Sequence, residues 1–550
     1  MTTSPDGTEG LEPTTQPSVP AGIHSPQRSH EADIQRVPRR VSMWLLLLAA
    51  ITPLVVALPW QLQYGPPAGA DDYGQYLSHA RALVEGRGYA DIGYIRTRYA
   101  LAIGPAVEPP GLPWTLAPII AVFGPSRIAV RILMTLTAVA AAWLAARYVA
   151  ERSGVVVGAA VAVQTAVALQ LQRATLGIGA DLGFTALLWA VMLVVDRDGK
   201  WSARRTVGTI ILGSAATFYR TAAAPLGLAM ILHGALRPRG QRRAPLIVGF
   251  VLLGVFAAMS VMLSRMPLQG DAQIAPGLAP SVLASDFGQS PSAVFDLLKG
   301  RAQFLLLGLA SAFTYPFDAK PVNNVYHGIA LLIALLGLVM WLHREWRSIT
   351  AIFAVGYSLM LCVVPVQDAR YLWPLYPLAG YGLILGVGHV LSAARRDTSL
   401  ASGSDRAQAP SAGSRFHARA AIAVSAVMLF ALALRAAERT PPALEDRADV
   451  QELFTRLKSS ARHDSLRVAF FSPRALTWNT HIPAMGTFAA SPAEVLAELE
   501  SKRVSHVITG DLGTQPKRDA AMREAIRAYP LRFSLAFSNA SFSVYRFRGP

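Results

Sequence analysis

Two adjacent carboxylates, Asp71 and Asp72, follow the first long apolar segment of the chain. They open a polar loop that is rich in aromatic residues and runs on to Glu108 and a proline-rich stretch. A carboxylate can take a proton from a hydroxyl group when it lies within hydrogen-bond reach of that group. Asp71 and Asp72 are therefore the first candidates for general-base chemistry.

The residues after the acidic pair have the spacing of an amphipathic helix. From Tyr73 to Val84, apolar residues recur at positions i, i+3, i+4, i+7, i+10 and i+11, which predicts a helix that lies on a membrane surface. Gly86 or Gly88 would end this helix. The acidic pair lies at its N-terminus, where one acid would cap the first turn and the helix dipole would favour the other. The sequence leaves open whether the pair caps the helix or does chemistry.

A third acid, Asp181, interrupts the apolar run Leu176–Val195. An acid within a membrane span costs about 3 kcal/mol on insertion, and such residues usually line a polar cavity. This favours a functional role for Asp181. The simpler alternative is that Asp181 pairs with Arg173 and only neutralises charge near the membrane surface.

Three arginines, Arg173, Arg220 and Arg370, fall at the outer ends of predicted spans. The positive-inside rule does not place cations there. Guanidinium groups at this level could bind a lipid phosphate bidentately. The simpler alternative is contact with ordinary lipid head groups.

The composition indicates a polytopic membrane protein. Of 550 residues, 52% are hydrophobic and 15% charged, whereas soluble domains carry about 25% charged residues. A net charge of +17 is compatible with nucleic-acid binding, but the basic residues cluster in short segments between apolar runs, which is the pattern that orients membrane proteins. We therefore expect no nucleic-acid partner. The single cysteine, Cys362, excludes an intramolecular disulfide and a thiolate metal site.

The apolar runs predict a mainly α-helical protein with roughly 11 to 13 membrane spans, at about 20 residues each. The basic loops place the N-terminus in the cytoplasm and the C-terminus outside the membrane. The predicted spans are Ser42–Trp60, Ile128–Tyr148, Val155–Gln172, Leu176–Val195, Val207–Tyr219, Ala222–Leu236, Leu246–Leu263, Val325–Leu342, Ile352–Val366, Tyr371–Val390 and Ala420–Leu434. A shorter run, Ala302–Tyr315, is interpreted as a re-entrant or membrane-surface segment.

Three parts are expected along the chain. Residues 1–40 form a disordered cytoplasmic tail, because they are rich in Pro, Ser, Thr and charge. Residues 41–437 form the membrane domain, with outer loops at 61–127, which carries surface helices, and 265–324. In 438–550, charged helical stretches alternate with β-rich runs, which predicts a small extracytoplasmic α/β domain.

Three local motifs resemble those of the GT-C superfamily of integral-membrane glycosyltransferases, which includes aminoarabinose transferases, protein O-mannosyltransferases and core galacturonosyltransferase-like proteins. The first is Asp71-Asp72-Tyr73 with Leu83-Val84-Glu85-Gly86-Arg87-Gly88-Tyr89, which is similar to an acidic first-loop motif and helix. The second is Glu108-Pro109-Pro110-Gly111-Leu112-Pro113, followed by Phe123-Gly124-Pro125-Ser126 and Arg131. The third is Arg370-Tyr371-Leu372-Trp373-Pro374-Leu375-Tyr376-Pro377.

This resemblance implies inverting transfer of a hexose or pentose from a polyprenyl-phosphate donor to a glycan, lipid or protein acceptor of the cell envelope. The enzyme would work at the outer face of a bacterial inner membrane. Asp71 or Asp72 would be the general base, and Asp181 a second acid that orients the acceptor.

The same resemblance suggests further contacts. We expect the donor phosphate to meet Arg173, Arg220 and Arg370, and the substrate to contact Tyr73, Glu108 and Tyr371. No cofactor is certain and no metal ligand is assigned, because some branches of the superfamily use a divalent metal and others do not.

Two alternatives stay open at the level of the sequence. One is a transporter or flippase for lipid-linked sugars, although the chain shows no convincing internal repeat. The other is a polysaccharide polymerase or ligase, which also acts on lipid-linked sugars at the outer face.

Overall fold

The computed structural model describes residues 39–63, 72–95, 97, 107–168, 178–197, 199–266, 290–313, 320–364, 368–400, 412–435, 447–461, 466–487, 489, 491–510 and 520–549. Met1–Trp44 and Leu45–Pro550 form two units, and of the first unit only 39–44 are described. Asp71, Arg173, nearly all of the predicted tail and residues 267–289 of the second predicted loop lie outside the described residues.

Most of the described chain is helical. The helices before residue 440 are α1 Arg39–Gln63, α2 Asp72–Val84, α3 Gly111–Phe123, α4 Arg127–Ser153, α5 Val155–Val167, α6 Ala180–Val195, α7 Ala203–Tyr219, α8 Ala224–Leu236, α9 Arg243–Ser264, α10 Pro291–Ala310, α11 Lys320–Glu345, α12 Ile349–Val363, α13 Tyr376–Leu400 and α14 Ala412–Arg435. Short 3₁₀ helices lie at Thr221–Ala223, Arg239–Gln241 and Ala369–Leu375.

Four segments of the described chain are long and apolar enough to cross a membrane: Arg127–Ser153, Arg243–Ser264, Asn324–Glu345 and Ala369–Ala394. Shorter apolar helices of 10 to 17 residues accompany them, among them α3, α5, α6 and α12. Large apolar side chains such as Leu136, Ile211 and Leu332 are exposed, as expected for surfaces that face lipid. The fold class, a mainly α-helical membrane protein with a small sheet, is as predicted.

Helix α10 overlaps the predicted segment Ala302–Tyr315, of which residues 314 and 315 lie outside the described residues. The helix there, α10, runs from Pro291 to Ala310 and so begins well inside the predicted loop. Its buried Arg301 donates hydrogen bonds to the carbonyls of Val363 and Cys362. These carbonyls lie at the C-terminal end of α12, where the helix leaves backbone acceptors unused. The apolar pattern begins only after Arg301, whereas the helix includes Arg301 and the residues before it. A buried arginine is tolerated there because its guanidinium group is hydrogen-bonded.

Helix α2 forms where the spacing predicts it, and Gly86 follows it with a left-handed φ of 67°. Nine of its thirteen residues are buried within the protein. One side packs on α3 and another on a helix from the end of the chain, Pro473–Thr480. A Cβ on Gly74 would lie 2.8 Å from the carbonyl oxygen of Arg474, so this approach requires glycine.

The described residues from 447 onward form α15 Ala448–Ala461, β1 Val468–Ala469, α16 Pro473–Thr480, β2 Ala484–Met485, α17 Pro492–Ser501, β3 His506–Gly510, α18 Ala520–Ala528, β4 Phe533–Ser538 and β5 Phe542–Phe547. The strand order is β2-β1-β3-β5-β4. β1 is parallel to β2 and β3, and β5 is antiparallel to β3 and β4. The β-rich runs of the sequence, which are Leu466–Phe471, Val504–Thr509, Leu531–Phe537 and Ser541–Phe547, predict β1, β3, β4 and β5 but not the two-residue β2.

The first loop joins this sheet. Ile95 N donates to the carbonyl of Ala484 at 2.8 Å, and Ala484 N donates to the carbonyl of Gly93 at 3.1 Å. Backbone pairing of this kind adds a short strand to the edge of a sheet. It fixes the C-terminal region beside α2, and this places α16 against the acidic end of that helix.

Candidate active site

Asp72, the first residue of α2, lies between two arginines from distant parts of the chain. Arg370 Nη1 donates to Asp72 Oδ2 at 2.6 Å, and Arg474 Nη1 donates to Oδ1 at 2.7 Å. Charge-assisted hydrogen bonds of this length are about twice as strong as neutral ones. The Asp72 carboxylate is therefore engaged by arginines from two other elements, which a simple helix cap does not require.

Arg474 is a functional candidate that the sequence analysis missed. Its side chain is 1% exposed and comes from α16, in the C-terminal region. Pro473 starts α16, so Arg474 lies in the first turn, where the helix dipole disfavours a cation. An arginine placed against the dipole in Ser472-Pro473-Arg474 is the one sequence signal that could have singled it out.

Asp181 lies in the first turn of α6 and forms a buried ion pair with Arg220, the residue that ends α7. Their side chains are 3% and 11% exposed. The simpler alternative of a pair between Asp181 and Arg173 is not needed to explain the acid, because Arg220 already neutralises it. α6 and α7 approach closely here, since a Cβ on Gly183 would overlap the ring of Tyr219.

Tyr371 stands between the two ion pairs. The guanidinium carbons of Arg220 and Arg370 lie 5.1 Å and 5.6 Å from the centre of its ring. Arg370 also forms an ion pair with Asp368, with 2.9 Å between Nε and Oδ2. The structure thus brings Asp72, Asp181, Arg220, Arg370 and Tyr371 into one cluster.

Glu108 lies next to the same cluster. It is 5% exposed, and the hydroxyl of Tyr76, one turn after Asp72 on α2, donates to its Oε2 at 3.3 Å. Tyr89 donates to the backbone carbonyl of Glu108 at 2.8 Å. These two tyrosines position the loop before α3 against the side of α2.

The pKa values of Asp72 and Glu108 are shifted in opposite directions. Burial alone would raise the pKa of Asp72, but the charges of Arg370 and Arg474 outweigh it and hold this pKa below its usual value. Burial, and then the charge of Asp72, raise the pKa of Glu108. Paired carboxyl groups whose pKa values are pushed apart are typical of sites that separate the roles of acid and base.

Tyr73 points away from this cluster. It is buried and lines a neighbouring cavity together with Arg81 and Trp478. The predicted contact between Tyr73 and substrate therefore concerns a different surface from the one that Glu108 and Tyr371 occupy.

Among the described residues, no three His, Cys, Asp or Glu side chains come together as a metal-binding group. Both oxygens of Asp72 already accept hydrogen bonds from arginine, which disfavours a divalent cation at this carboxylate.

No known protein family and no curated protein matches the sequence. Solved structures do match. ArnT from Cupriavidus metallidurans, bound to undecaprenyl phosphate, is 14% identical with a TM-score of 0.53, over 91% of this chain and 97% of that one. The oligosaccharyltransferase of Archaeoglobus fulgidus, in complex with Zn and sulfate, is 12% identical with a TM-score of 0.54, over 91% of this chain and 72% of that one.

At this level of identity the likeness concerns the fold. It extends over the helical part and the C-terminal region together, since nine-tenths of the chain is covered. Both matched proteins are glycosyltransferases of the GT-C superfamily. The chain therefore has the fold of the GT-C integral-membrane glycosyltransferases.

Proposed function

We propose that this protein transfers a sugar from a polyprenyl-phosphate donor to a hydroxyl group of a cell-envelope acceptor, with inversion at the anomeric carbon. The single observation that carries the proposal is the Asp72 carboxylate held between Arg370 and Arg474. It combines a proton acceptor with the cations that a leaving phosphate needs. The fold shared with ArnT, whose structure contains undecaprenyl phosphate, supports a polyprenyl-phosphate donor.

Asp72 is the proposed general base. A carboxylate has about four lone-pair sites, of which the two arginines use one on each oxygen, so a site remains for an acceptor hydroxyl. The arginines make the carboxylate a weak base. Weak assistance is sufficient here, because phosphate is a good leaving group and the hydroxyl proton moves only as the new bond forms.

Arg220 and Arg370 are the proposed contacts of the donor phosphate. Each gives part of its fork-shaped guanidinium group to a carboxylate, and a guanidinium carries five N–H donors. In the reaction, the acceptor oxygen forms a bond to the anomeric carbon while the bond to the phosphate oxygen breaks. The negative charge that develops on the phosphate is stabilised by these fixed cations.

Asp181 orients this arrangement. By neutralising Arg220 within the cluster, it fixes that guanidinium group in place, and the shared burial excludes water from the pair. Asp71 remains an alternative base at its predicted position beside Asp72. Arg173 likewise remains a proposed third contact of the phosphate.

The test uses the full chain in proteoliposomes with a panel of polyprenyl-phosphate monosaccharides and a cell-envelope extract as acceptor. The readout is released polyprenyl phosphate, which is the same product for every donor sugar. We expect Asp72→Asn to lower turnover by about 10²- to 10⁴-fold, the usual contribution of a general base. Asp296→Asn, an exposed carboxylate on α10, is the matched control.

Two outcomes would contradict the proposal. One is full activity in Asp71→Asn, in Asp72→Asn and in the double variant, at normal expression. The other is movement of labelled lipid-linked sugar across vesicles without any transfer product, which would indicate a transporter. Release from an oligosaccharide diphosphate, but not from a single-sugar phosphate, would instead assign the chain to the polymerases or ligases.

A further inference from the structure

The cavity that Tyr73, Arg81 and Trp478 line has a volume of about 330 Å³. It lies beside the Asp72 cluster, and the proposed reaction does not use it. It is bounded by α2, by the start of α4 and by the C-terminal region. Its basic lining residues are Arg81, Arg127, Arg131, Lys458 and His481. Within the described part of the chain, no carboxylate lines it. Four of these side chains are cationic at neutral pH, namely Arg81, Arg127, Arg131 and Lys458, and like charges around a small volume concentrate anions there.

The cavity shares two helices with the cluster. On α2, Tyr73, Leu77 and Arg81 follow each other at steps of four and line the cavity, while Asp72 and Tyr76, one position earlier, belong to the cluster. On α16, Arg474 contacts Asp72 while Trp478 and Asn479 line the cavity. A molecule held in this cavity therefore contacts the two helices that carry Asp72 and Arg474.

Arg81 is fixed in the cavity wall before any ligand arrives. Its guanidinium carbon lies 3.7 Å from the centre of the Trp478 ring, and Nη1 donates to the carbonyl of Trp478 at 3.2 Å. The same Nη1 lies 3.1 Å from Nε2 of His481. Burial, and then the charge of Arg81, lower the pKa of His481, so this ring loses its proton more readily than usual.

Two further groups of the wall suit an anion with oxygen atoms. The N-terminus of α4, a helix of 27 residues, opens onto the cavity at Ser126 and Arg127 and carries partial positive charge. The hydroxyl of Tyr73 is buried and has no hydrogen-bond partner among the described residues, although the residue is only 6% exposed. A buried hydroxyl without a partner costs about 1 to 3 kcal/mol, and a ligand oxygen would remove that cost.

We propose that this cavity binds a phosphate group of the acceptor. The donor phosphate already has Arg220 and Arg370 in the cluster, so a separate anion site one helix face away suits the second substrate. The assignment to the acceptor rests on the proposed function, whereas the binding of phosphate does not. The acceptor is thereby narrowed to a phosphate-bearing lipid or glycan.

The first experiment measures binding to the full chain in neutral detergent by calorimetry. The probes are inorganic phosphate and dioctanoyl phosphatidic acid, with dioctanoylglycerol as the uncharged control. We expect the wild type to bind both phosphate probes, and Arg131→Gln combined with Lys458→Gln to weaken both by at least about tenfold, equivalent to 1.4 kcal/mol. Arg239→Gln with Arg243→Gln, two exposed arginines elsewhere, should bind as the wild type does.

The melting temperature of each variant shows that it is folded. Equal binding by the two double variants would overturn the proposal. Absence of phosphate binding by the wild type would do the same. So would binding of phosphatidic acid alone that the cavity substitutions leave unchanged, because this indicates adsorption of lipid to the membrane surface.

The second experiment separates this inference from the proposed function. Asp72→Asn should keep phosphate binding, whereas the cavity double variant should raise the KM for the acceptor with little change in kcat or in the KM for the donor. An unchanged acceptor KM in the cavity double variant would overturn the acceptor assignment. Full transfer by Asp72→Asn, Asp71→Asn and their double variant would refute the proposed function and that assignment, yet loss of phosphate binding in the cavity double variant would still establish the phosphate site.

Discussion

Helix α6 carries a buried acid at each end, and the two acids differ in how they are satisfied. At the far end, Asp196 accepts hydrogen bonds from Ile349 N at 2.9 Å, Thr350 N at 3.3 Å, Thr350 Oγ1 at 2.7 Å and Tyr148 Oη at 3.0 Å. Arg152 adds an ion pair at 3.7 Å. At the near end, about 22 Å away along the helix, Asp181 pairs with Arg220 beside Tyr371.

The comparison distinguishes a structural acid from a candidate functional one. The Asp196 carboxylate accepts hydrogen bonds from the backbone N–H groups and a hydroxyl group of the first turn of α12, so it holds two helices together. Near Asp181, by contrast, charged groups from separate elements lie together, and these include Asp72, Arg220, Arg370 and Arg474. Arginines with unused N–H donors can donate them to a substrate. A carboxylate whose oxygens already accept several hydrogen bonds from the protein cannot accept more from a substrate.

The largest effect is expected from Asp196→Asn. The NH2 group of the amide would replace one carboxylate oxygen and face either the backbone N–H of Ile349 or that of Thr350, and Arg152 would lose its anionic partner. Breaking a buried charge pair costs about 3 to 5 kcal/mol of unfolding free energy. Denaturation in detergent measures this loss. The matched Asp181→Asn variant should lose less unfolding free energy than Asp196→Asn, because Asp72 lies close enough to Arg220 to compensate part of the charge of that arginine. It should lose more turnover than Asp196→Asn, because Arg220 is a proposed contact of the donor phosphate.

The distinction between the two ends of α6 would be wrong if Asp196→Asn and Asp181→Asn lowered the free energy of unfolding equally and their folded fractions had the same turnover.

Arg474→Gln tests whether the C-terminal region takes part in the chemistry. It removes one charge-assisted hydrogen bond from Asp72, worth about 1.5 to 3 kcal/mol, and so should lower turnover about 10- to 100-fold. Arg456→Gln, on the exposed face of α15, is the matched control. Wild-type turnover in Arg474→Gln would confine the chemistry to the helical part.

Gly74→Ala tests the contact that brings Arg474 to Asp72. The new Cβ would lie 2.8 Å from the backbone oxygen of Arg474, and backbone gives way less easily than a side chain. We expect a loss of about 1 to 3 kcal/mol, as for other overpacked sites, together with reduced turnover. Gly254→Ala on α9, where a Cβ meets nothing within 4 Å, is the control. An unchanged melting temperature would show that α2 and α16 can separate without cost.

The smallest effect is expected from Glu108→Gln, and it depends on pH. A carboxyl group whose pKa is raised by folding contributes stability below its unfolded pKa of about 4.3 and loses it as the pH rises through the folded value. The glutamine keeps an acceptor for Tyr76 and never ionises. Melting temperatures measured from acidic to neutral pH should therefore coincide at the acidic end and increasingly favour the variant as the pH rises.

Glu85→Gln, an exposed carboxylate of the same loop, is the comparison for this series. A constant difference between Glu108→Gln and the wild type across the range would contradict the raised pKa.

Much of the candidate site could be predicted, because its residues break local rules. Asp181 interrupts an apolar run, and Arg220 and Arg370 lie where basic residues are not expected. The partners of these residues could not be predicted. Arg370 and Arg474 reach Asp72 across 298 and 402 positions of sequence, and no spacing pattern connects residues so far apart.

The sequence by itself determined the helical membrane architecture, helix α2 and the α/β character of the last hundred residues, because hydrophobic periodicity and turn residues act locally. Only the tertiary structure decided that α2 is largely buried within the protein, because α3 and α16 pack against it. The structure likewise decided that Arg220 pairs with Asp181, that Arg474 joins Asp72 and that five basic residues surround one cavity. Ion pairs and cavities form between elements, and their energies depend on distances that only the folded chain sets.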